Sequence, residues 1–266
     1  MVRMRVKVLQ IGYGDDESVD ARRERVTALV RAQAGPDTDL VVLPELWAHG
    51  GFAYRTWQQR AEAIDGPTVT ALAAAARDTS TVVHAGSIIE RDGDALFNTS
   101  VVLGPDGSVL ARYRKMHRFG FGVGEPTLLE PGADLVVVRL PLRDGGTAAV
   151  GLSICYDLRF PEMYRALLDA GAQMVLVPAA WPAARVAHWT LLGRARAIEN
   201  QIVVVAANTV GTHAGHEMGG YSQVAGPTGE VLAEAGTDEE VLSVDIDLSQ
   251  VASVREHFPV LADRRL

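Results

Sequence analysis

Three observations in this sequence predict an α/β fold. Short uncharged apolar runs, such as Leu40-Val41-Val42-Leu43 and Ile202-Val203-Val204-Val205-Ala206-Ala207, have the length and β-branched content of strands covered on both faces. Between such runs lie segments of helical length with helix start and stop signals, so strands and helices alternate. Finally, Gly104-Pro105-Asp106-Gly107-Ser108-Val109-Leu110-Ala111 is echoed by Gly226-Pro227-Thr228-Gly229-Glu230-Val231-Leu232-Ala233. Each reads as a hairpin turn followed by a strand, and the echo implies two similar half-units packed together.

The elements follow in order. Arg3 to Ile11 alternates in polarity and reads as a first strand. Asp15-Asp16-Glu17-Ser18 supplies an N-cap and first-turn acids for a helix running to about Ala34, which Gly35-Pro36-Asp37 stops. After the apolar run at 40–43 come helices over 54–64 and 67–78, the second rich in alanine, then strands at about 81–90 and 97–103. Strands are expected again at 134–140, 147–154, 173–177, 202–208 and 241–246, and helices at 161–171, 187–200 and 248–256. Residues 210–220, rich in Gly and His, read as a loop. Gly120-Phe121-Gly122-Val123-Gly124 is a Gly-rich loop without an evident following helix, which argues against a phosphate cradle.

The bulk properties narrow the function. The chain has 266 residues, long enough for a substantial core, and no low-complexity linker divides it, so one domain over 1–266 is expected. A net charge of −8 argues against nucleic acid as a main partner. The basic, alternating start Met1-Val2-Arg3-Met4-Arg5 lacks the apolar core of a signal peptide, and no stretch is apolar enough to span a membrane. With a single cysteine there is no internal disulfide, and the expected setting is cytoplasmic.

That cysteine, Cys155, lies in Gly151-Leu152-Ser153-Ile154-Cys155-Tyr156-Asp157-Leu158-Arg159-Phe160-Pro161-Glu162, where an apolar strand signal gives way to a helix. A thiol at a strand-to-helix turn is presented to a cleft, and it is a strong nucleophile once a base takes its proton. By itself it would equally suit a small buried hydrophobe. Two other segments bear on the choice: Leu43-Pro44-Glu45-Leu46, a carboxylate just past a buried strand, and Tyr113-Arg114-Lys115-Met116-His117, a lysine ending a hairpin strand. Ligands gather at strand ends in α/β sheets, so the three side chains can converge. Singly, Glu45 would also suit a solvated loop, and Lys115 a solvated basic run with Arg112, Arg114 and Arg118.

Taken together, the three segments resemble the nitrilase, or carbon–nitrogen hydrolase, superfamily, whose Glu-Lys-Cys triad they match in order. The resemblance extends to Ala187-His188-Trp189, Arg194-Ala195-Arg196-Ala197-Ile198-Glu199-Asn200, Tyr221-Ser222 and the late hairpin at 226–230, covering nearly the whole chain. Within the family the pattern is nearest the omega-amidase and deaminated-glutathione-amidase branches. Their second glutamate matches Glu125, seven residues before Gly132, better than Glu130.

The resemblance implies a four-layer αββα sandwich, two mixed sheets with helices outside, paired as a homodimer or higher homo-oligomer through the helix after Cys155 and the C-terminal segment. It implies hydrolysis of a small amide with no metal or organic cofactor. Glu45 would act as general base, Cys155 as nucleophile, Lys115 with the Tyr156 N–H as oxyanion partners, and Glu125 as an orienting carboxylate. A nearby Lys115 would lower the thiol pKa. Tyr156, Arg118, His188 and Trp181 are the candidate substrate contacts, with Arg118 or Arg185 facing a substrate carboxylate. Asp157, Arg159 and Glu162 are expected to form an ion pair that holds the turn, and Arg194, Arg196 and Glu199 to be structural.

Other readings compete less well. GxSxG fails because Cys155 occupies its last position. His213-Ala214-Gly215-His216-Glu217 is not HExxH, which argues against zinc. An N-carbamoyl or nitrile substrate would use the same triad, and a catalytically silent binding member is the alternative of another class. The chain departs from the omega-amidase branch at 118–124 and at 183–186, both segments expected to border the pocket.

Overall fold

A computed structural model describes residues 3–265; Met1, Val2 and Leu266, included in the expectations for the N-terminal run and the domain, lie outside the described residues. The chain runs β1 (Arg3–Gly12), α1 (Val19–Gln33), β2 (Leu40–Val42), α2 (Tyr54–Arg60), α3 (Pro67–Thr79), β3 (Val82–Asp92), β4 (Ala95–Leu103), β5 (Val109–Arg114), α4 (Glu125–Leu128), β6 (Val137–Pro141) and β7 (Thr147–Leu152). It continues through α5 (Pro161–Asp169), β8 (Met174–Pro178), α6 (Val186–Asn200), β9 (Val203–Ala207), β10 (Thr209–Val210), β11 (Thr212–His213), β12 (His216–Glu217), β13 (Gln223–Ala225), β14 (Val231–Glu234), β15 (Glu240–Asp247) and α7 (Ser249–His257).

Two mixed sheets form among the described residues. In the first, β15, β1, β2, β3, β4 and β5 lie side by side, with β10 beside the end of β1; the second has the order β6-β7-β8-β9-β13-β14. The sheets repeat one plan. In each, three successive parallel strands (β1-β2-β3, β7-β8-β9) are flanked on one side by an antiparallel strand (β15, β6) and on the other by an antiparallel hairpin (β4-β5, β13-β14). The echoed Gly-Pro-x-Gly runs at 104–107 and 226–229 are the turns of those two hairpins. The half-units expected from the echo are therefore real.

Alternation along the strands sorts side chains into layers. Val6, Val8, Leu40 and Val42 share a core with Val150 and Leu152 of the second sheet, and this core runs on into Leu167 of α5 and Trp189 of α6. On the other face of the first sheet, Leu9, Val41, Leu43 and Val83 pack with Val26 and Val30 of α1 and Leu72 and Ala75 of α3. The four layers are thus helix, sheet, sheet and helix.

Several boundaries differ from expectation for local reasons. α2 stops at Arg60 because Glu62 is needed elsewhere: its carboxylate accepts the Thr68 N–H at the start of α3 (2.7 Å) and pairs with His49 Nε2 (3.2 Å). The expected loop 210–220 contains a small hairpin, β11–β12, whose two turn residues Ala214 and Gly215 both have positive φ (48° and 76°). The Gly-rich run 120–124 is followed by a helix after all, the single turn α4.

Candidate active site

The chemistry-bearing side chains sit where strands end. Past β2 the chain turns sharply at Pro44-Glu45. Gly86 of β3 lies so close beneath it that an added Cβ would stand 1.8 Å from the Pro44 carbonyl oxygen, and its φ is +69°. Leu46 has φ 45°, and its N–H donates to Ser87 Oγ (3.1 Å). Cys155 follows β7 with φ 48°, an unfavourable conformation for a residue bearing a Cβ, and opens a 3-10 turn over Cys155–Arg159. Lys115 is the first residue after β5, and its N–H donates to the Asn98 carbonyl (2.9 Å).

One carboxylate holds two of these turns together. Asp157, fully buried, accepts the Ile154 N–H (2.8 Å) and the Tyr113 hydroxyl (2.7 Å) on Oδ2, and the His117 N–H (3.0 Å) and Nδ1–H (2.8 Å) on Oδ1. It thus ties the Cys155 turn to the chain just after Lys115. The expected ion pair among Asp157, Arg159 and Glu162 does not form, because Asp157 points inward to these donors while Arg159 turns outward.

Glu45, Lys115, Glu125 and Cys155 meet in one buried cluster. Lys115 Nζ lies 2.8 Å from Glu45 Oε1 and 2.9 Å from Glu125 Oε1, and Asn98 Nδ2 lies 2.8 Å from each of the same two oxygens. Glu45 Oε2 accepts the Ala180 N–H (2.9 Å), and Glu125 Oε2 accepts the Phe119 N–H. Burial works against the Lys115 ammonium, but the charges of Glu125 and Glu45 outweigh it and hold its pKa well above the ordinary value. Glu125 is pushed up by burial and by Glu45, against the pull of Lys115. Burial also pushes the Cys155 thiol well up, helped by Glu45, which accepts its hydrogen bond. The expected lowering by Lys115 is present but is outweighed by burial and by Glu45, so the expected low thiol pKa does not result.

These four residues line a cleft of about 390 Å³, open solvent at its mouth included. Phe52, Tyr54, Phe119, Tyr156 and Trp181 form apolar walls, and Arg159 and Arg185 stand among them. The Arg159 guanidinium lies over the Trp181 ring (4.7 Å) and that of Arg185 over the Phe119 ring (5.4 Å). Among the described residues no carboxylate forms an ion pair with either arginine.

Of the candidate substrate contacts, Tyr156 and Trp181 lie in the cleft wall; Arg118 and His188 do not. Arg118 donates to the carbonyls of Pro126 and Leu129 (3.3 and 2.7 Å), bracing the α4 loop. His188 is exposed, and its Nδ1 lies 3.3 Å from Nη2 of Arg159. Arg196 is structural as expected, donating to the Leu158 carbonyl (3.0 Å) and pairing with Glu199 (2.9 Å). His213 is buried against the Tyr13 ring, and Glu130 is exposed. Sequence reasoning missed Asn98, Tyr54, Phe52 and Phe119, and assigned Arg159 to the wrong role. A polar residue inside the strand signal at 97–103 was the only available hint of Asn98.

A family model described as carbon-nitrogen hydrolase matches residues 5–256. The chain belongs to the carbon–nitrogen hydrolase family. Among relatives of this hydrolase, a 2-oxoglutaramate amidase from Paenarthrobacter nicotinovorans is 42% identical over 98% of this chain and 89% of the relative. An omega-amidase from Homo sapiens is 34% identical over 100% of this chain and 96% of its own. A carbon–nitrogen hydrolase superfamily protein from Xanthomonas campestris, solved with an arsenic adduct in its active site, superposes with a TM-score of 0.90 at 30% identity, over 100% of this chain and 98% of that one. This carbon–nitrogen hydrolase is accordingly an amidase acting on C–N bonds other than peptide bonds.

Proposed function

We propose that the protein hydrolyses the terminal amide of a small 2-oxo acid, releasing ammonia through a thioester on Cys155. The observation that carries this reading is the pairing, in one cleft, of a thiol–carboxylate–ammonium cluster with two arginines that no protein carboxylate engages. That absence of a carboxylate partner holds among the described residues, and such cations suit a substrate carboxylate. The relatives named 2-oxoglutaramate amidase and omega-amidase support the same class.

In this mechanism Glu45 takes the thiol proton as the sulfur–carbon bond forms. The ammonium of Lys115 has three N–H donors; two serve Glu45 and Glu125, and the third serves the oxyanion. The Tyr156 N–H, at the start of the 3-10 turn and so without a helical partner, is the second oxyanion donor. Glu45 returns the proton to the nitrogen, the C–N bond breaks and ammonia leaves. Water, deprotonated by Glu45, then attacks the thioester, the C–S bond breaks, the acid leaves and Glu45 returns the proton to the Cys155 sulfur. Glu125 orients Lys115. No step calls on a metal or an organic cofactor.

The same proposal takes the chain as one domain over 1–266, in a cytoplasmic setting suggested by its single cysteine, and as a homodimer. α5 and the C-terminal segment were the expected contact. Exposed Leu191 and Ile198 on α6 and Phe258 past α7 move it toward α6 and the C-terminal segment. Light scattering at the monomer mass would refute this part.

Ammonia release from 2-oxo-acid amides, deaminated glutathione, N-carbamoyl amino acids and nitriles, with Cys155→Ala alongside, tests the central reading. Release from the 2-oxo-acid amides that the variant lacks supports it. Release only from carbamoyl compounds or nitriles reassigns the substrate, and silence throughout with no adduct on Cys155 favours a binding role.

A further inference from the structure

Asn98 bridges the two glutamates of the buried cluster. Asn98 lies inside β4, is 1% exposed, and has no role in the reaction described above. Its Nδ2 carries two hydrogens, and two carboxylate oxygens lie 2.8 Å away, Glu45 Oε1 and Glu125 Oε1. Lys115 Nζ spans the same two atoms from the other side. A carboxylate oxygen has two lone pairs, so both oxygens are saturated by donors and neither has a site for a proton. The two Oε2 atoms differ: that of Glu45 accepts one N–H, from Ala180, and that of Glu125 one, from Phe119, so each keeps one lone pair, and of the two residues Glu45 is the base. The orientation of the amide follows from its neighbours, because the reverse placement would set Oδ1 against two carboxylates. Oδ1 has no hydrogen-bond partner, a cost of the arrangement.

We propose that Asn98 is a positioning residue: it keeps Glu45 Oε1 and Glu125 Oε1 free of protons, so that the hydrogen leaving Cys155 is delivered to Glu45 Oε2. This rests on the reading of Glu45 as the base. The groups facing Glu45 are Lys115 after β5, Glu125 of α4, Cys155 after β7, the phenol of Tyr54 on α2 and that of Tyr13 past β1. Lys115 is shared equally between the two glutamates, so Asn98 is the neutral donor whose loss changes only the proton-holding capacity of the pair.

Alkylation of Cys155 by iodoacetamide, followed by intact mass from pH 4 to 9, tests this without knowledge of the substrate. The sulfur–carbon bond forms, iodide leaves and the thiol proton passes to the base. In Asn98→Leu, Oε1 of each glutamate regains a lone pair for a proton, so the acid limb of the rate profile moves up by about one pH unit, the effect of losing one hydrogen bond to a charged group. The variant then reacts about tenfold more slowly than the native protein on the acid limb and within about twofold of it at high pH. Asn98→Asp, of the same shape, carries the test if the leucine variant does not fold. Its carboxyl, protonated, offers one O–H where the amide offers two N–H, so one Oε1 still regains a lone pair and the acid limb moves up as well. Profiles of both folded variants that superpose on the native one, with or without a lower plateau, overturn the proposal. A native Cys155 that takes no label at any pH overturns the reading of the site itself.

Discussion

Asp157→Asn tests the link between the two turns that carry Cys155 and Lys115. The change keeps the shape and replaces one oxygen by an NH2 group. Asp157 receives four donors, two on each oxygen, and every one now points at an acceptor. If the amide nitrogen faces Tyr113 and Ile154, the Ile154 N–H is orphaned in the core. If it faces His117, the imidazole can change tautomer so that Nδ1 accepts, but the His117 backbone N–H still meets a donor. The second arrangement is the cheaper. It leaves one orphaned N–H, costing about 1–3 kcal/mol, and turns two charge-assisted bonds into neutral ones.

The expected loss of stability is therefore about 3 kcal/mol, which lowers Tm by roughly 6–12 °C in a chain of this size. The Cys155 turn and the loop after Lys115 also lose their common anchor. Misplacement of a reacting group by about 1 Å costs on the order of 100-fold in rate, so kcat should fall by one to two orders of magnitude while KM changes less. Calorimetry and steady-state ammonia release measure the two effects. A variant melting within 2 °C (roughly 1 kcal/mol at most) of the native protein with unaltered kcat would refute the argument that Asp157 couples these turns.

Three further outcomes follow from particular contacts. Gly86→Ala places a methyl against the Pro44 carbonyl at a positive φ, so it should cost at least about 2 kcal/mol and displace Glu45, measurable as a lower unfolding midpoint with reduced turnover. Arg159→Leu and Arg185→Leu should each raise KM for an anionic amide by about 10-fold or more, the effect of one lost charged hydrogen bond; no change in KM for either would remove the cations from substrate recognition. His84, buried in β3 beside Ser100 Oγ (2.7 Å), has its pKa pushed down to about 3 by burial. The unfolded chain binds that proton near pH 6.5 and the folded chain does not, so stability is present above 6.5 and is lost as pH falls through about 3. This single group costs on the order of 2 kcal/mol by pH 5. Urea midpoints at pH 7 and 5 measure the loss, and the double variant His84→Leu with Ser100→Ala should reduce it; an unaltered loss would assign the acid sensitivity elsewhere.

The parts of the site that could be read from the sequence are those lying at ends of apolar runs. Glu45, Lys115 and Cys155 each follow a strand, and a strand end is visible locally as a change in pattern. Asn98 sits in mid-strand, and nothing in Phe97-Asn98-Thr99 tells which face of β4 meets the carboxylates. The proximity of Arg159 and Asp157 in the chain suggests an ion pair. In the 3-10 turn the two side chains diverge, Asp157 into the core and Arg159 into the cleft. The repeated Gly-Pro-x-Gly turns were enough to show two half-units, but not how the halves meet. That meeting is what completes the site. Glu45 follows β2 in the first sheet, and Ala180, whose N–H holds Glu45 Oε2, follows β8, the strand in the corresponding place of the second. Glu45, Asn98 and Lys115 come from one sheet and its connections, Cys155 and Ala180 from the other. The distance between base and thiol is therefore set by how the two sheets pack. A substitution between the sheets, at Val8 or Val150, should reach the chemistry through that spacing while leaving each sheet's own pairing intact.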